Sequence, residues 1–188
     1  MSVETTYFLV ARVVGGGATL VLDLWALFLK RAFNLSSSNY CWVGRWLYYM
    51  TEGTFRHVSI AAAPAKHCEC RVGWIAHDVM GVVFALVFIV LASGDWLARP
   101  TLLPALLFGI STVLIPFLIM HPSFGLGIAA SKTPNPPQAR LRSLLSHTVF
   151  GVGLYFARLA SVMCCRFMPN EALPPAPFPP LRGVKAAG

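Results

Sequence analysis

The sequence contains few charged residues. Asp, Glu, Lys and Arg make up 12% of its 188 residues, only seven residues are acidic, and 56% are hydrophobic. A soluble globular domain carries about 25% charged residues. This deficit indicates that lipid, rather than water, surrounds most of the chain.

Motifs for catalysis and for nucleotide binding are also missing. No candidate nucleophile has an oriented base and no phosphate-binding loop occurs, so we do not expect an enzyme of hydrolysis or group transfer. The formal charge of +8 comes without a basic stripe interleaved with aromatic residues, which argues against nucleic acid as a partner. The spelling Gly125-x-Gly127-x-x-Ala130 matches a dinucleotide-binding loop, but it follows an apolar helix rather than a strand and indicates a turn.

Cysteines are too few, and odd in number, to predict a disulfide framework: there are five. Two of them, Cys68 and Cys70, fall in a loop that we expect to face a reducing compartment. The tract from His67 to Cys70 resembles a soft-metal site, yet it lacks the second pair of ligands that a four-coordinate zinc ion needs. We therefore interpret the tract as loop chemistry without a metal.

Long apolar stretches are what the sequence has in abundance. A helix needs about 20 mostly apolar residues to cross a bilayer. The predicted transmembrane helices cover residues 8–29, 72–93, 101–120 and 143–165, approximately. Asp23 interrupts the first stretch and no small-residue cleavage site follows it, which argues against a signal peptide. We predict an all-α membrane protein with one four-helix transmembrane domain over residues 1–168.

Two further regions have distinct compositions. The interfacial loop 30–71 is rich in Trp and Tyr between Tyr40 and Tyr49, which predicts a short amphipathic helix at the level of the lipid headgroups. Residues 169–188 are rich in proline and poor in residues that could form a core, which predicts an extended, mobile tail.

The basic residues predict the orientation of the bundle. Nine of the fifteen lie in the two loops on one side. These are Lys30, Arg31, Arg45, Arg56, Lys66, Arg71, Lys132, Arg140 and Arg142. The positive-inside rule makes that side cytoplasmic, so both termini are predicted to be periplasmic.

Two helical hairpins in the sequence resemble each other. The pattern Gly-x-small-Thr ends at Thr19 in the first span and at Thr112 in the third, and the string His-x-Val-x-Gly-Val begins at His77 and at His147. Because the first and third spans run in the same direction, these hairpins would be parallel repeats. We predict that a pseudo-two-fold axis along the membrane normal relates them.

Four ionisable residues in the predicted spans are candidates for a site: Asp23, His77, Asp78 and His147. Ionisable groups inside a bilayer are costly and usually face a partner or water. Small residues at a spacing of four mark a helix face that packs against another helix, and both histidines lie on such a face. We therefore expect them to point into the bundle and to face each other with Asp23 close by. Asp78 points about 100° away from His77 on the same helix.

Three interpretations of this cluster stay open. The residues could simply hydrogen-bond between helices, at about 0.6 kcal/mol per bond. They could form a site for an ion, a proton or a small ligand, with a metal held by His77, His147 and Asp23. They could instead bind a haem through the two histidines, since Gly81 and Gly151 leave room for a macrocycle. Hydrogen bonds alone would suit a membrane scaffold or assembly factor without ligand. An ion or ligand site would suit a small non-enzymatic bundle with an intramembrane site, and a haem would suit a membrane redox protein.

Several segments also carry a family resemblance. They are Gly44-Arg45-Trp46-Leu47, Trp96 to Ala105, Gly125 to Pro134 and Arg142 to His147. Through them the chain, from about Gly15 to Tyr155, resembles a family of small bacterial membrane proteins known only as a domain of unknown function. The resemblance implies a multi-pass protein of a bacterial inner membrane, in contact with the lipid bilayer, and implies no reaction, ligand or protein partner. A bundle this small would need to dimerise to enclose a pathway, so a homodimer is a further expectation.

Overall fold

The computed structural model describes residues 3–35 and 39–167, and within them it is helical and contains no β-strand. The helices are α1 (Val3–Phe33), α2 (Tyr40–Thr51), α3 (Glu69–Leu91), α4 (Ser93–Ala98), α5 (Leu102–Ser111), α6 (His121–Ser123) and α7 (Pro136–Phe167). A π-helical turn (Pro116–Met120) joins α5 to α6, and a 3-10 turn (Ile128–Ala130) precedes α7.

Four helical segments of the described chain are long and apolar enough to cross a membrane. They are Thr5–Phe33, Glu69–Leu91, Leu102–Ser123 and Pro136–Cys164. The predicted class, an all-α membrane protein with four spanning helices, is therefore confirmed. The fourth segment begins seven residues before the predicted boundary at 143, because polar and basic residues that would project from the bilayer still continue the helix. The predicted tail 169–188 lies outside the described residues.

Glycines set how closely the long helices pack. Helix α1 packs against both α3 and α7, and α7 also packs against α5. A methyl group added at Gly15 would lie 2.6 Å from the carbonyl oxygen of Gly81, and one added at Gly151 would lie 2.7 Å from that of Ala105. The backbones therefore approach as closely as small residues allow between membrane helices. Large apolar side chains lie on the outside, where Leu91, for example, is 72% exposed.

The third span changes its winding at Pro116. Proline has no N–H, so the carbonyl of Thr112 cannot receive its usual bond from residue 116. That carbonyl instead accepts from the N–H of Ile115 at 3.2 Å, and the chain winds as a π-helix as far as Met120. After α6, Gly125 and Gly127 adopt positive φ angles of 84° and 75°, which confirms the turn interpretation of the Gly-x-Gly spelling.

Helix α2 is the short helix predicted in the loop 30–71, and it packs along the first turns of α3. Helix α2 runs antiparallel to α3, since Tyr40 lies against Gly73 and Gly44 lies against Glu69. The Arg45 guanidinium donates to both carboxylate oxygens of Glu69, at 2.8 and 2.7 Å, and to the carbonyl of Ile60 at 2.9 Å. This buried ion pair holds α2, α3 and the loop between them together.

A disulfide joins Cys41 on α2 to Cys70 on α3. The cysteines predicted no disulfide framework, so this single bond is one that the sequence did not indicate. The reason is tertiary, because the crossing at Gly44 and Gly73 brings two residues that are 29 apart in sequence to a Cα separation of 3.9 Å. Among the cysteines whose side chains are described, Cys68 and Cys164 are free and exposed.

The two helix pairs α1/α3 and α5/α7 share the same kind of glycine contact. Gly81 and Gly151 follow their histidines by four residues, and each lies against the partner helix of its pair. The repeat axis itself stays a prediction.

Candidate functional site

The centre of the candidate site is a contact between α1 and α3. The His77 Nε2 atom lies 3.1 Å from the Asp23 Oδ1 atom, and the side chains are 11% and 30% exposed, respectively. Asp23 reaches this position because it follows Thr19 by one helical turn, and the Thr19 methyl group packs against Gly81 at the α1/α3 contact. The glycine contact thus positions the carboxylate opposite the imidazole.

Asp78 completes a group of three. One ligand atom from each of Asp23, His77 and Asp78 lies within 4.8 Å of the other two. Asp78 is exposed, whereas the other two are partly buried. Asp78 is about 100° from His77 around the helix, yet its carboxylate still falls within this group.

Aromatic rings cover the imidazole on the side of α2. The Tyr40 ring stacks on the His77 ring with centroids 4.3 Å apart, and Trp74 meets His77 edge to face at 5.8 Å. Burial raises the pKa of Tyr40 well above its ordinary value, and the nearby carboxylates of Asp23 and Asp78 raise it further. Tyr40 is therefore a neutral ring beside two carboxyl groups.

A small cavity of about 150 Å³ opens beside these residues. It is lined by Asp23, Ala26, Leu27, Lys30, Tyr40 and Trp74. A volume of this size is large enough to hold water. The cavity therefore gives the Asp23 carboxylate room for water or a hydrated ion.

His147 lies in a different place. Its Nδ1 atom is 2.7 Å from the hydroxyl oxygen of Thr112 on α5, and that hydroxyl also donates to the carbonyl of Gly109 at 2.6 Å. A hydroxyl has one proton, so when it bonds the carbonyl the imidazole must donate from Nδ1. The structure therefore brings Asp23, His77 and Asp78 together, and His147 is not part of that group. That His147 faces His77 across the bundle stays a prediction.

The donors fit a small metal ion. Ligand atoms bound to one tetrahedral zinc at bond lengths near 2.1 Å lie about 3.4 Å apart. The Asp23 to His77 separation of 3.1 Å is close to that value, and the Asp78 ligand atom lies within 4.8 Å of both. A haem held by both His77 and His147 stays a prediction, since these hydrogen bonds use only one ring nitrogen of each histidine.

Sequence reasoning missed Tyr40 and Trp74 as members of the site. Trp74 precedes His77 by three residues, a spacing that places both on one helix face, so the signal was present. Tyr40 was noted only as one of several interfacial aromatic residues. Its contact with His77 depends on α2 folding back along α3, which no local pattern indicates.

These features define an all-helical protein with four helices suited to a membrane and a His/Asp cluster at one end of the bundle. The chain belongs to the family described as "Protein of unknown function (DUF2938)", whose model matches residues 12–161. The match covers most of α1 and α7, all of the helices between them, and the whole candidate site. No curated protein and no solved structure is significantly similar to the chain.

Proposed function

We propose that this chain is a small non-enzymatic protein of a bacterial inner membrane, and that Asp23, His77 and Asp78 bind a divalent transition-metal ion. The observation that carries the proposal is the mutual approach of one imidazole nitrogen and two carboxylate oxygens within 4.8 Å. Two carboxylates this close repel each other, so a cation between them removes a cost that the apo site would carry.

The donor set narrows the class of cation. Imidazole nitrogen suits Zn²⁺, Fe²⁺, Ni²⁺ and Cu²⁺, whereas carboxylate oxygen suits Mn²⁺, Mg²⁺ and Ca²⁺. A mixed set of one nitrogen and two oxygens favours Zn²⁺, Mn²⁺ or Fe²⁺ over the alkaline-earth ions. Sulfur takes no part, which disfavours Cu⁺.

The ligand count favours an ion that exchanges. A structural zinc site is closed by four protein ligands, whereas three ligands leave a position for water. Asp78 is exposed and the cavity lies beside Asp23. A cation could therefore enter and leave without unfolding of the bundle, as binding, sensing or transfer of the ion requires.

The orientation we propose places the site near the cytoplasmic side. The nine basic residues of the two loops support this orientation through the positive-inside rule. The site would then meet ions at cytosolic concentrations, with both termini in the periplasm.

The test is cation binding by the full-length protein in lipid nanodiscs. We expect one Mn²⁺ or Zn²⁺ per chain, and Co²⁺ should give the visible absorption of nitrogen and oxygen coordination. Loss of an outer-shell partner lowers metal affinity 10- to 100-fold. Removal of a direct ligand in Asp23→Asn or His77→Gln should lower it by at least roughly 100-fold.

His147→Gln is the matched control, because it removes the other intramembrane imidazole and should leave the affinity unchanged. The affinity should also fall as pH falls, because protons compete with the cation for the same atoms. Absence of stoichiometric binding, or equal losses in His77→Gln and His147→Gln, would refute the proposal. A haem absorption band that needs both histidines would support the redox alternative instead.

A further inference from the structure

The Cys41–Cys70 disulfide lies next to the candidate site. Cys41 directly follows Tyr40, whose ring covers His77, and Cys70 lies two helical turns before His77 on α3. The disulfide therefore links the two elements that bring the tyrosine and the histidine together.

In the first turn of α2, the disulfide acts beside the contacts that Tyr40 makes with α3. Arg45 and Gly44, which make the ion pair and the close backbone contact, lie one turn further along α2. In the first turn, the Asn39 side chain accepts from the N–H of Cys41, a contact within α2 itself. What holds Tyr40 over His77 is thus the disulfide together with ring packing and the approach of the Tyr40 carbonyl to Gly73.

The proposed orientation gives this disulfide a reducing neighbourhood. Disulfides in the cytosol are usually transient, catalytic or redox-sensing, because cellular dithiols keep thiols reduced. The Cys70 residue is exposed and Cys41 is partly buried, so we expect a thiolate from solution to attack at Cys70. The pair has the access that thiol–disulfide exchange requires.

We propose that Cys41–Cys70 is a reversible redox pair that controls the cation site, an inference that rests on the proposed function of that site. A dithiol reductant attacks the Cys70 sulfur, Cys41 leaves as a thiolate and takes a proton, and the second reductant thiol resolves the mixed disulfide. Two electrons and two protons pass to the protein, and the reductant becomes a disulfide. Reduction releases the first turn of α2, so Tyr40 no longer holds the His77 ring and water enters.

The experiment compares oxidised and reduced full-length protein in nanodiscs, with a phosphine reductant removed before each measurement. We expect reduction to increase amide hydrogen exchange in residues 39–44 and 72–78, and to weaken Mn²⁺ binding about tenfold, as loss of an outer-shell contact does. Cys41→Ser and Cys70→Ser should match the reduced protein in hydrogen exchange and in Mn²⁺ affinity, and the reductant should change neither quantity. Cys68→Ser, which changes a neighbouring exposed thiol, should respond as the unaltered protein does.

Hydrogen exchange separates this inference from the proposed function, because it needs no cation. Faster exchange at residues 39–44 and 72–78 on reduction, in a protein that binds no Mn²⁺, would support the redox pair and reject the cation. Equal exchange and equal affinity in the two states would overturn the inference. So would a disulfide that resists the reductant in the folded protein, since the bond would then be purely structural.

Discussion

The two intramembrane histidines occupy matching positions in their helix pairs but have different surroundings. His77 is followed after four residues by Gly81, and His147 by Gly151, and both glycines lie at close helix contacts. His77 pairs with the carboxylate of Asp23, whereas His147 pairs with the hydroxyl of Thr112. His77 is also covered by the Tyr40 ring of an extra helix, α2.

The difference is the reason that we propose a cation site at His77 and none at His147. A neutral imidazole that shares a proton with a threonine satisfies both groups and needs no ion. A carboxylate one turn further along the partner helix creates a negative site, which Asp78 strengthens. In the α5/α7 pair, the position four residues after Thr112 is Pro116, which changes the helix winding and supplies no ligand.

The largest expected effect tests whether the α1/α3 pair, which holds His77, depends on α2 for its stability. Arg45→Met leaves Glu69 buried without its partner, and breaking a buried ion pair costs about 3 to 5 kcal/mol. We expect unfolding free energies to fall by about that amount. Hydrogen exchange should rise in α2 and the first turns of α3, and change little in α5 and α7.

Glu52→Gln is the control for that variant, because Glu52 pairs with Lys66 at the exposed surface. Surface pairs contribute little, so this change should leave both exchange and stability close to the unaltered protein. If Arg45→Met raised hydrogen exchange equally in α5 and α7, the α1/α3 and α5/α7 pairs would not unfold independently.

A second prediction compares the glycines that follow the two histidines. An added methyl at Gly151 first meets the backbone of Ala105 and Leu106, at 2.7 and 3.0 Å, whereas one at Gly81 first meets the side chain of Thr19. Backbone cannot move aside as easily as a side chain. Gly151→Ala should therefore destabilise the bundle by about 1 to 3 kcal/mol, and Gly81→Ala by less.

Thermal unfolding in detergent measures both variants. Gly16→Ala provides the baseline, since a methyl there meets no atom within 4 Å, and alanine favours a helix over glycine by up to about 1 kcal/mol. An equal loss in Gly81→Ala and Gly151→Ala would mean that the two contacts are equally rigid.

A third prediction addresses the His147 hydrogen bond alone. His147→Ala and Thr112→Val should each lower stability by about 0.6 kcal/mol beyond packing losses, the mean for such bonds between membrane helices. The double variant should cost less than the sum, because both changes remove the same bond. Additive losses, or a loss of cation binding in either variant, would contradict the separation of the two histidines.

The smallest expected effect concerns the ionisation of Tyr40. Burial and two carboxylates raise the Tyr40 pKa, because each disfavours the negative phenolate. Asp23→Asn removes one of the negative charges and should lower that pKa, while burial, the largest cause, keeps it above the ordinary value. Ultraviolet difference titration of Asp23→Asn against the unaltered protein measures the change, and Tyr40→Phe identifies the signal. A pKa that did not move would show that Asp23 and Tyr40 are not close.

The sequence by itself determined the class of this protein. Low charge and four apolar stretches admit few folds other than a helical membrane bundle, since a bilayer leaves no water to satisfy open backbone groups. Helical spacing also identified Asp23 and His77 as inward candidates, and the structure places them 3.1 Å apart.

Tertiary structure alone decided the partners. His147 bonds Thr112 because α7 packs against α5. Tyr40 and Cys41 reach α3 because α2 folds back along it, and the Cys41–Cys70 bond then joins residues that are 29 apart in sequence. Such contacts depend on close backbone approaches at Gly44, Gly73 and Gly109 that sequence patterns permit without specifying. Local periodicity tells which face of a helix is turned inward, but the identity of the facing helix is a property of the assembled bundle.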